Sequence, residues 1–220
     1  MQFNARGSKM IIAVVNTKGG VGKSTVALQL SIGLSLNGFR PWLVDGDRQE
    51  SSISAITLRA ESGRPPLAAS AYANGATLRA QVSAQAGGFD HVVIDAGGRD
   101  SSALRAALTV ADVALIPFVP RSFEVWAVKD IAELIDEARA VHDLKALAFM
   151  NLADVSGPDN RDAAAALREF STFELLDCRL TRRKAFANAA AAGLHVDEMQ
   201  RRDTVACAEA ERLLDAVLAA

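Results

Sequence analysis

Cysteine is scarce in this sequence: 220 residues hold only Cys178 and Cys207. Two cysteines so far apart make neither a metal-type pair nor a disulfide framework, and such sparing use suits a reducing cytoplasm. Aromatic residues are few as well, with nine Phe, two Trp and one Tyr, so the core is expected to be aliphatic. No apolar run reaches the ~18 residues that a membrane span requires. The start, Met1 to Lys9, is polar and carries no signal-type stretch. It is expected to be a flexible segment at the head of one domain spanning 1–220. A net excess of either charge is nearly absent too, because 24 Lys+Arg against 26 Asp+Glu leave −2. That excludes a generally basic coat for nucleic acid but leaves room for a local patch. What the chain has in plenty is alanine, 42 residues. With half its residues apolar, it is large enough to bury a core unaided and rich in helix formers.

Apolar runs of strand length alternate with helical spacing along the chain. Met10 to Val15, Pro41 to Val44, His91 to Ile94, Val113 to Ile116 and Ala146 to Met150 read as buried strands. Between and after them, Lys23 to Leu36, Ser101 to Val110, Val125 to Val141, Asp159 to Phe170 and Thr204 to Leu218 read as helices. The stretch from Arg64 to Gly88, interrupted by Pro65-Pro66 and several glycines, reads as loop plus helix. This alternation implies one α/β domain with a twisted, mostly parallel sheet and helices on both faces.

Chemistry gathers where three of those strands end, which is where open parallel sheets bind ligands. The first end reads Asn16-Thr17-Lys18-Gly19-Gly20-Val21-Gly22-Lys23-Ser24-Thr25. A glycine turn from strand to helix aims backbone N–H groups and the positive helix end at one point, a cradle for phosphate. Lys23 is placed to reach the β- and γ-phosphates of a nucleotide, and the Ser24 hydroxyl to ligate Mg²⁺. Thr17 stands where the usual phosphate-loop pattern has its first glycine. The second end is Asp45-Gly46-Asp47. The third is Val92-Val93-Ile94-Asp95, an apolar strand ending in an acid that can hold Mg²⁺ through water.

The segment Lys18-Gly-Gly-Val-Gly-Lys-Ser-Thr resembles the deviant Walker A loop of the ParA/MinD family of ATPases, in which the first lysine is the signature residue. The resemblance covers nearly the whole chain from Met10, densely in the first half. It implies a P-loop NTPase fold, ATP and Mg²⁺ as cofactors, and an ATP-bound homodimer in which Lys18 reaches the partner's nucleotide. The nucleotide would be held by residues 18–25, with Asn151 in the place of an adenine-contacting residue. Asp45-Gly46-Asp47 resembles the family's Asp-x-Asp-Pro-Gln segment, which makes Asp47 the residue that orients the attacking water and helps to hold the metal with Ser24 and Asp95. Asp45 becomes its outer partner. Arg48 stands in place of the proline while Gln49 is retained, and Ala96-Gly97-Gly98 replaces a small residue and two prolines.

Late in the chain, Arg182, Arg183 and Lys184, then Arg201 and Arg202, resemble the family's DNA-contacting stretches. They imply nonspecific DNA as a partner and a nucleoid-associated, cytoplasmic protein. The phosphate loop starts near residue 16, as in the small ParA type, which has no DNA-binding extension ahead of it. A cargo adaptor, ParB-like or other, is expected to stimulate a hydrolysis that is slow alone, since no arginine finger is evident. The C-terminal helix has an acidic polar face (Glu209, Glu211, Asp215), which anionic lipids repel, so direct membrane binding is disfavoured. Two alternatives remain open at this point. One is a dethiobiotin-synthetase-like ligase of the same superfamily. The other is a MinD-like membrane-cycling switch.

Overall fold

The computed structural model describes residues 9–98, 101–122 and 125–220. In chain order the elements are β1 (Met10–Val14), α1 (Lys23–Leu36), β2 (Pro41–Asp45), α2 (Ser51–Glu61), β3 (Ala68–Ala71), α3 (Gly75–Gln85), β4 (His91–Asp95) and α4 (Ser102–Leu108). They continue with β5 (Val113–Phe118), α5 (Val125–Arg139), β6 (Lys145–Ala153), α6 (Pro158–Arg168), β7 (Glu174–Thr181), α7 (Lys184–Ala191) and α8 (Thr204–Leu218).

Seven strands form one sheet in the order β3-β2-β4-β1-β5-β6-β7, and every pairing is parallel. Alternate residues of the central strands feed two cores, as period-two side chains buried on both faces must. Ala13, Val44, Ile94 and Ala114 join α4 and α5 on one face. Ile12, Val14, Leu43, Val93 and Leu115 join α1 and α8 on the other. The expected α/β class is therefore observed, with a sheet that is wholly parallel rather than mostly so.

Four elements go beyond the sequence reading: strands β3 and β7 and helices α2 and α7. The 64–88 stretch holds the expected helix, α3, but also β3, whose Ala-Ala-Ser-Ala sequence offers no apolar run. β7 carries Asp177 and Arg179 among apolar residues because it is an edge strand facing solvent. No described helix is long and apolar enough to cross a membrane.

Candidate nucleotide site

The carboxyl ends of β1, β2 and β4 lie side by side, with Val14 paired to Asp95 and Asp95 to Asp45. The loop after β1 is fixed at both flanks. Asn16 donates its side-chain N–H to Pro117 O at 2.9 Å and accepts the Lys18 N–H at 2.9 Å. On the far side, Asn151 Nδ2 donates to Val21 O at 2.7 Å. Gly22 caps α1 with φ 88°, and a Cβ there would lie 2.4 Å from Asn151 Nδ2. The turn thus requires glycine both for its left-handed backbone and for space.

Lys23, the first residue of α1, is buried, with its ammonium 3.1 Å from Lys18 O. Burial pulls its pKa down, while Asp95 and Asp47 pull the other way. Asp95, 1% exposed, has its pKa pushed up to about 6, first by burial and against the hydrogen bonds of Ser52 and Ser24. The nearby Asp45 adds to the rise and Lys23 opposes it. Ser52 Oγ donates to Asp95 Oδ2 at 2.5 Å, whereas Asp95 Oδ1 is buried with no hydrogen-bond partner among the described residues. Asp45 is fully buried, and its carboxylate accepts the N–H groups of Asp47 (3.0 Å), Ser52 (3.0 Å) and Ile53 (3.2 Å). It thereby pins the start of α2 to the end of β2 and sets the path of the loop between them. Asp47 stays partly exposed beside Lys23, with Oδ1 accepting the Gln49 N–H at 3.0 Å.

Gly97 packs against this loop, since a Cβ there would sit 3.3 Å from Gly46 O. Gly98 lies over the Lys23 ammonium. The glycines replacing the family's prolines therefore leave the two acidic loops in contact. Lys18, Lys23, Ser24, Asp47 and Asp95 all belong to this one cluster or its rim, as the sequence leads one to expect. Thr25 follows on the first turn of α1, and Gly19 and Gly20 are exposed at the loop's crest. Ser52, hydrogen-bonded to Asp95, is the neighbour of this cluster that the sequence reading missed. The Asn151 carboxamide donates one N–H to Val21 O and so holds the turn itself in shape.

The late cations come together but divide into two kinds. Arg183 is bound to Asp203 at 3.0 Å and to Thr181 Oγ1 at 2.8 Å, with Glu209 4.0 Å away. Arg202 donates to Asp197 O at 2.7 Å. Arg182, Lys184 and Arg201 are exposed, and no ion pair holds them among the described residues. Because Asp203 caps α8, the Arg183–Asp203 pair joins the 182–184 group to the 201–202 group.

A glycine turn from strand to helix, a buried lysine and a half-buried serine at the helix start, and two acidic strand ends are the layout of a P-loop nucleotide-binding domain. A family model described as an AAA domain matches residues 9–71, which span β1 to β3. The maintenance of carboxysome distribution protein A of Halothiobacillus neapolitanus is 27% identical over 94% of this chain and 95% of its own. A putative plasmid partition protein of Borrelia burgdorferi bound to AMPPNP superposes with a TM-score of 0.76, at 18% identity over 96% of this chain and 99% of the other. Cobyrinic acid a,c-diamide synthase of Mycobacterium smegmatis, with an ATP analogue and magnesium, gives the same 0.76 at 20% identity over 96% and 94%. Together with Lys18 and its loop, these likenesses agree with the resemblance to the ParA/MinD-type ATPases, and the superposed structures share the fold.

Proposed function

We propose that this chain is an ATP-driven positioning switch. ATP and Mg²⁺ close a symmetric dimer, the dimer holds nonspecific DNA, and an adaptor bound to the cargo stimulates hydrolysis and releases it. The observation that carries the reading is the convergence of Lys23, Ser24, Asp47 and Asp95 beside Lys18 at the start of α1. The carboxysome-distribution relative, alike over nearly the full length, supports cargo positioning as the purpose.

The residues present fit a magnesium ion. The Ser24 hydroxyl and the Asp95 and Asp47 carboxylates are hard oxygen donors, and Asp95 Oδ1 is a buried acceptor with no hydrogen-bond partner among the described residues. No set of three or more His, Cys, Asp or Glu that could form an all-protein cage occurs among the described residues. That suits an ion shared with phosphates and waters. When bound, the ion would draw charge off the β- and γ-phosphate oxygens.

The chain does the rest. Backbone N–H groups of residues 19–24 and the Lys23 ammonium hold the phosphates. Lys18 of one protomer reaches the nucleotide of the other, so closure itself completes the charge stabilisation. Asp47 orients the attacking water. Asp45 and Ser52 fix the positions of Asp47 and Asp95 from behind. DNA phosphates fall to Arg182, Lys184 and Arg201, with Arg183 and Arg202 as struts that hold the surface in shape. Such contacts are blind to sequence, and dimerisation doubles the cations offered at once. ATP binding therefore switches DNA binding on, which keeps the loaded form on the nucleoid.

The test is fluorescence anisotropy of a random-sequence duplex with ATP, ADP or no nucleotide, alongside sizing chromatography. Duplex binding and a dimer that both require ATP support the switch. ATP turnover without either would sink it and put the ligase reading ahead.

A further inference from the structure

Beside the edge strand β7 the surface opens into a cavity of about 450 Å³ between that strand, α8 and the loop after β6. Its floor is internally satisfied. Glu209, buried, accepts the Thr181 N–H at 2.9 Å and the Thr181 hydroxyl at 2.8 Å, and Arg183 lies over the same pair. Its rim is not. Arg179 and Arg212 are exposed and, among the described residues, donate only to backbone carbonyls, those of Val155 and Ala208, each at 3.1 Å. Neither guanidinium meets a carboxylate among the described residues, and Asp177 is the one exposed acid on the lining. The same lining holds Val155, 70% exposed, and Val205, 44% exposed. β7 itself closes the sheet and pairs only with β6 among the described strands.

Cations alone would suit a phosphate backbone. Exposed valines at the lips of a concavity do not, because they gain only when something apolar covers them. An open strand edge adds a row of main-chain groups that an extended peptide can use. From this combination we infer that the β7–α8 crevice receives an extended acidic segment of a partner protein. Its carboxylates meet Arg179 and Arg212, and an aliphatic side chain seats between Val155 and Val205. This site stands apart from the nucleotide cluster and needs no ATP.

The probe is a short fluorescein-labelled peptide of alternating Glu and Val, titrated by anisotropy against the nucleotide-free full chain, with its Lys–Val counterpart as control. The Glu–Val peptide should bind saturably and the Lys–Val peptide should not. Arg179→Glu with Arg212→Glu should weaken binding about tenfold or more, since removing rim charges of the right sign acts through complementarity. The milder pair Arg179→Gln with Arg212→Gln should weaken it in the same direction, which guards against a folding artefact. Val155→Asp and Val205→Asp should each weaken the peptide while leaving ATP-dependent duplex binding as in the wild type. Peptide binding that is absent, or unchanged in the arginine variants, overturns the proposal. So does a result in which the valine variants bind the peptide normally and the arginine variants lose the duplex, which would assign the crevice to DNA. ATP-dependent dimerisation, measured without peptide, reports separately on the proposed switch.

Discussion

Two charged regions of this molecule are built on opposite plans. Around the phosphate loop the ionisable groups are buried and aimed at one another, with Lys23, Asp45 and Asp95 all largely out of solvent. At the β7–α8 edge the arginines are exposed or half exposed, and two of them are already held by internal acceptors. Burial makes the first region costly unless ligands complete it: it raises the Asp95 pKa, and Asp95 Oδ1 has no hydrogen-bond partner among the described residues. Exposure makes the second inexpensive to build and tolerant of change. A buried cluster with an orphan acceptor therefore says more about its ligand than a longer row of surface cations does.

The sharpest way to break that comparison is to cut the bridge between the regions. Helix α2 begins at the nucleotide site, where Asp45 and Ser52 fix it, and ends at a buried ion pair. There Arg59, 1% exposed, meets Glu198 through two hydrogen bonds at 2.6 and 2.9 Å. The contact is close enough to demand Gly193, whose φ is 66° and whose Cβ would lie 2.1 Å from Ala55 O. Burial would raise the Glu198 pKa, but the Arg59 hydrogen bond and charge and the His195 N–H hold it below its ordinary value. Arg59→Met leaves that carboxylate only the His195 N–H and the exposed Arg64, 3.9 Å away, and should destabilise the fold by roughly 3–5 kcal/mol in urea unfolding. Arg59→Met with Glu198→Leu should recover much of the loss. A single variant as stable as the wild type would show that α2 does not depend on this tie.

The second prediction separates affinity from assembly within the phosphate loop. Lys23→Ala removes the main phosphate cation and should weaken ATP binding by roughly 10- to 100-fold, the range for a lost charge-assisted hydrogen bond. Lys18→Ala should bind ATP nearly as the wild type does and fail to dimerise. Calorimetry and sizing chromatography with ATP distinguish the two, and a normal Lys18→Ala dimer would remove the trans-acting role.

The contrast also explains what the sequence made legible. The phosphate loop is contiguous and its chemistry follows from spacing, so residues 18–25 could be read before any fold was known. Asp95 was legible because it ends a run that reads as a strand, and Asp47 through the resemblance of Asp45-Gly46-Asp47 to the family's acidic segment. Ser52 was not, because only the return of α2 under Asp45 brings it to Asp95, 43 positions away in sequence. The Arg59–Glu198 pair, 139 positions apart, leaves no local pattern at all. β3 and β7 escaped because edge strands of alanine or mixed charge lack the apolar run that marks a buried strand. The basic cluster was visible as composition, but not which of its members were already bound.

That division gives the third prediction. Arg182→Glu should weaken ATP-dependent binding to any duplex and flatten the slope of log affinity against log salt by about 0.9 for each lost phosphate contact. Arg183→Glu should act mainly on the fold, since it sets a carboxylate against Glu209 and Asp203 and cuts the tie between β7 and the start of α8. Thermal melting beside a salt titration sorts them. Equal melting points with equal losses of DNA binding would make both residues surface contacts.

The smallest expected effect lies at the other end of the sheet. His91 opens β4, is 1% exposed, stands edge-on to Phe39, and finds no hydrogen-bond partner for either ring nitrogen among the described residues. Burial holds its pKa below the ordinary 6.5, with Asp90 pulling weakly the other way. The native imidazole thus stays neutral where the unfolded one takes a proton. Stability from this residue is complete above 6.5 and falls as the pH drops toward the lowered native value, with a slope of at most about 1.4 kcal/mol per pH unit for one site. His91→Leu removes the titration and keeps the apolar contact with Phe39. Its unfolding free energy should run flatter between pH 7 and 5 than that of the wild type. Nucleotide affinity at pH 7.5 should be unchanged, because His91 stands at the amino end of β4 while Asp95 stands at its carboxyl end. Parallel pH profiles for the two proteins would mean that the native ring takes up its proton as readily as the unfolded one, against its burial.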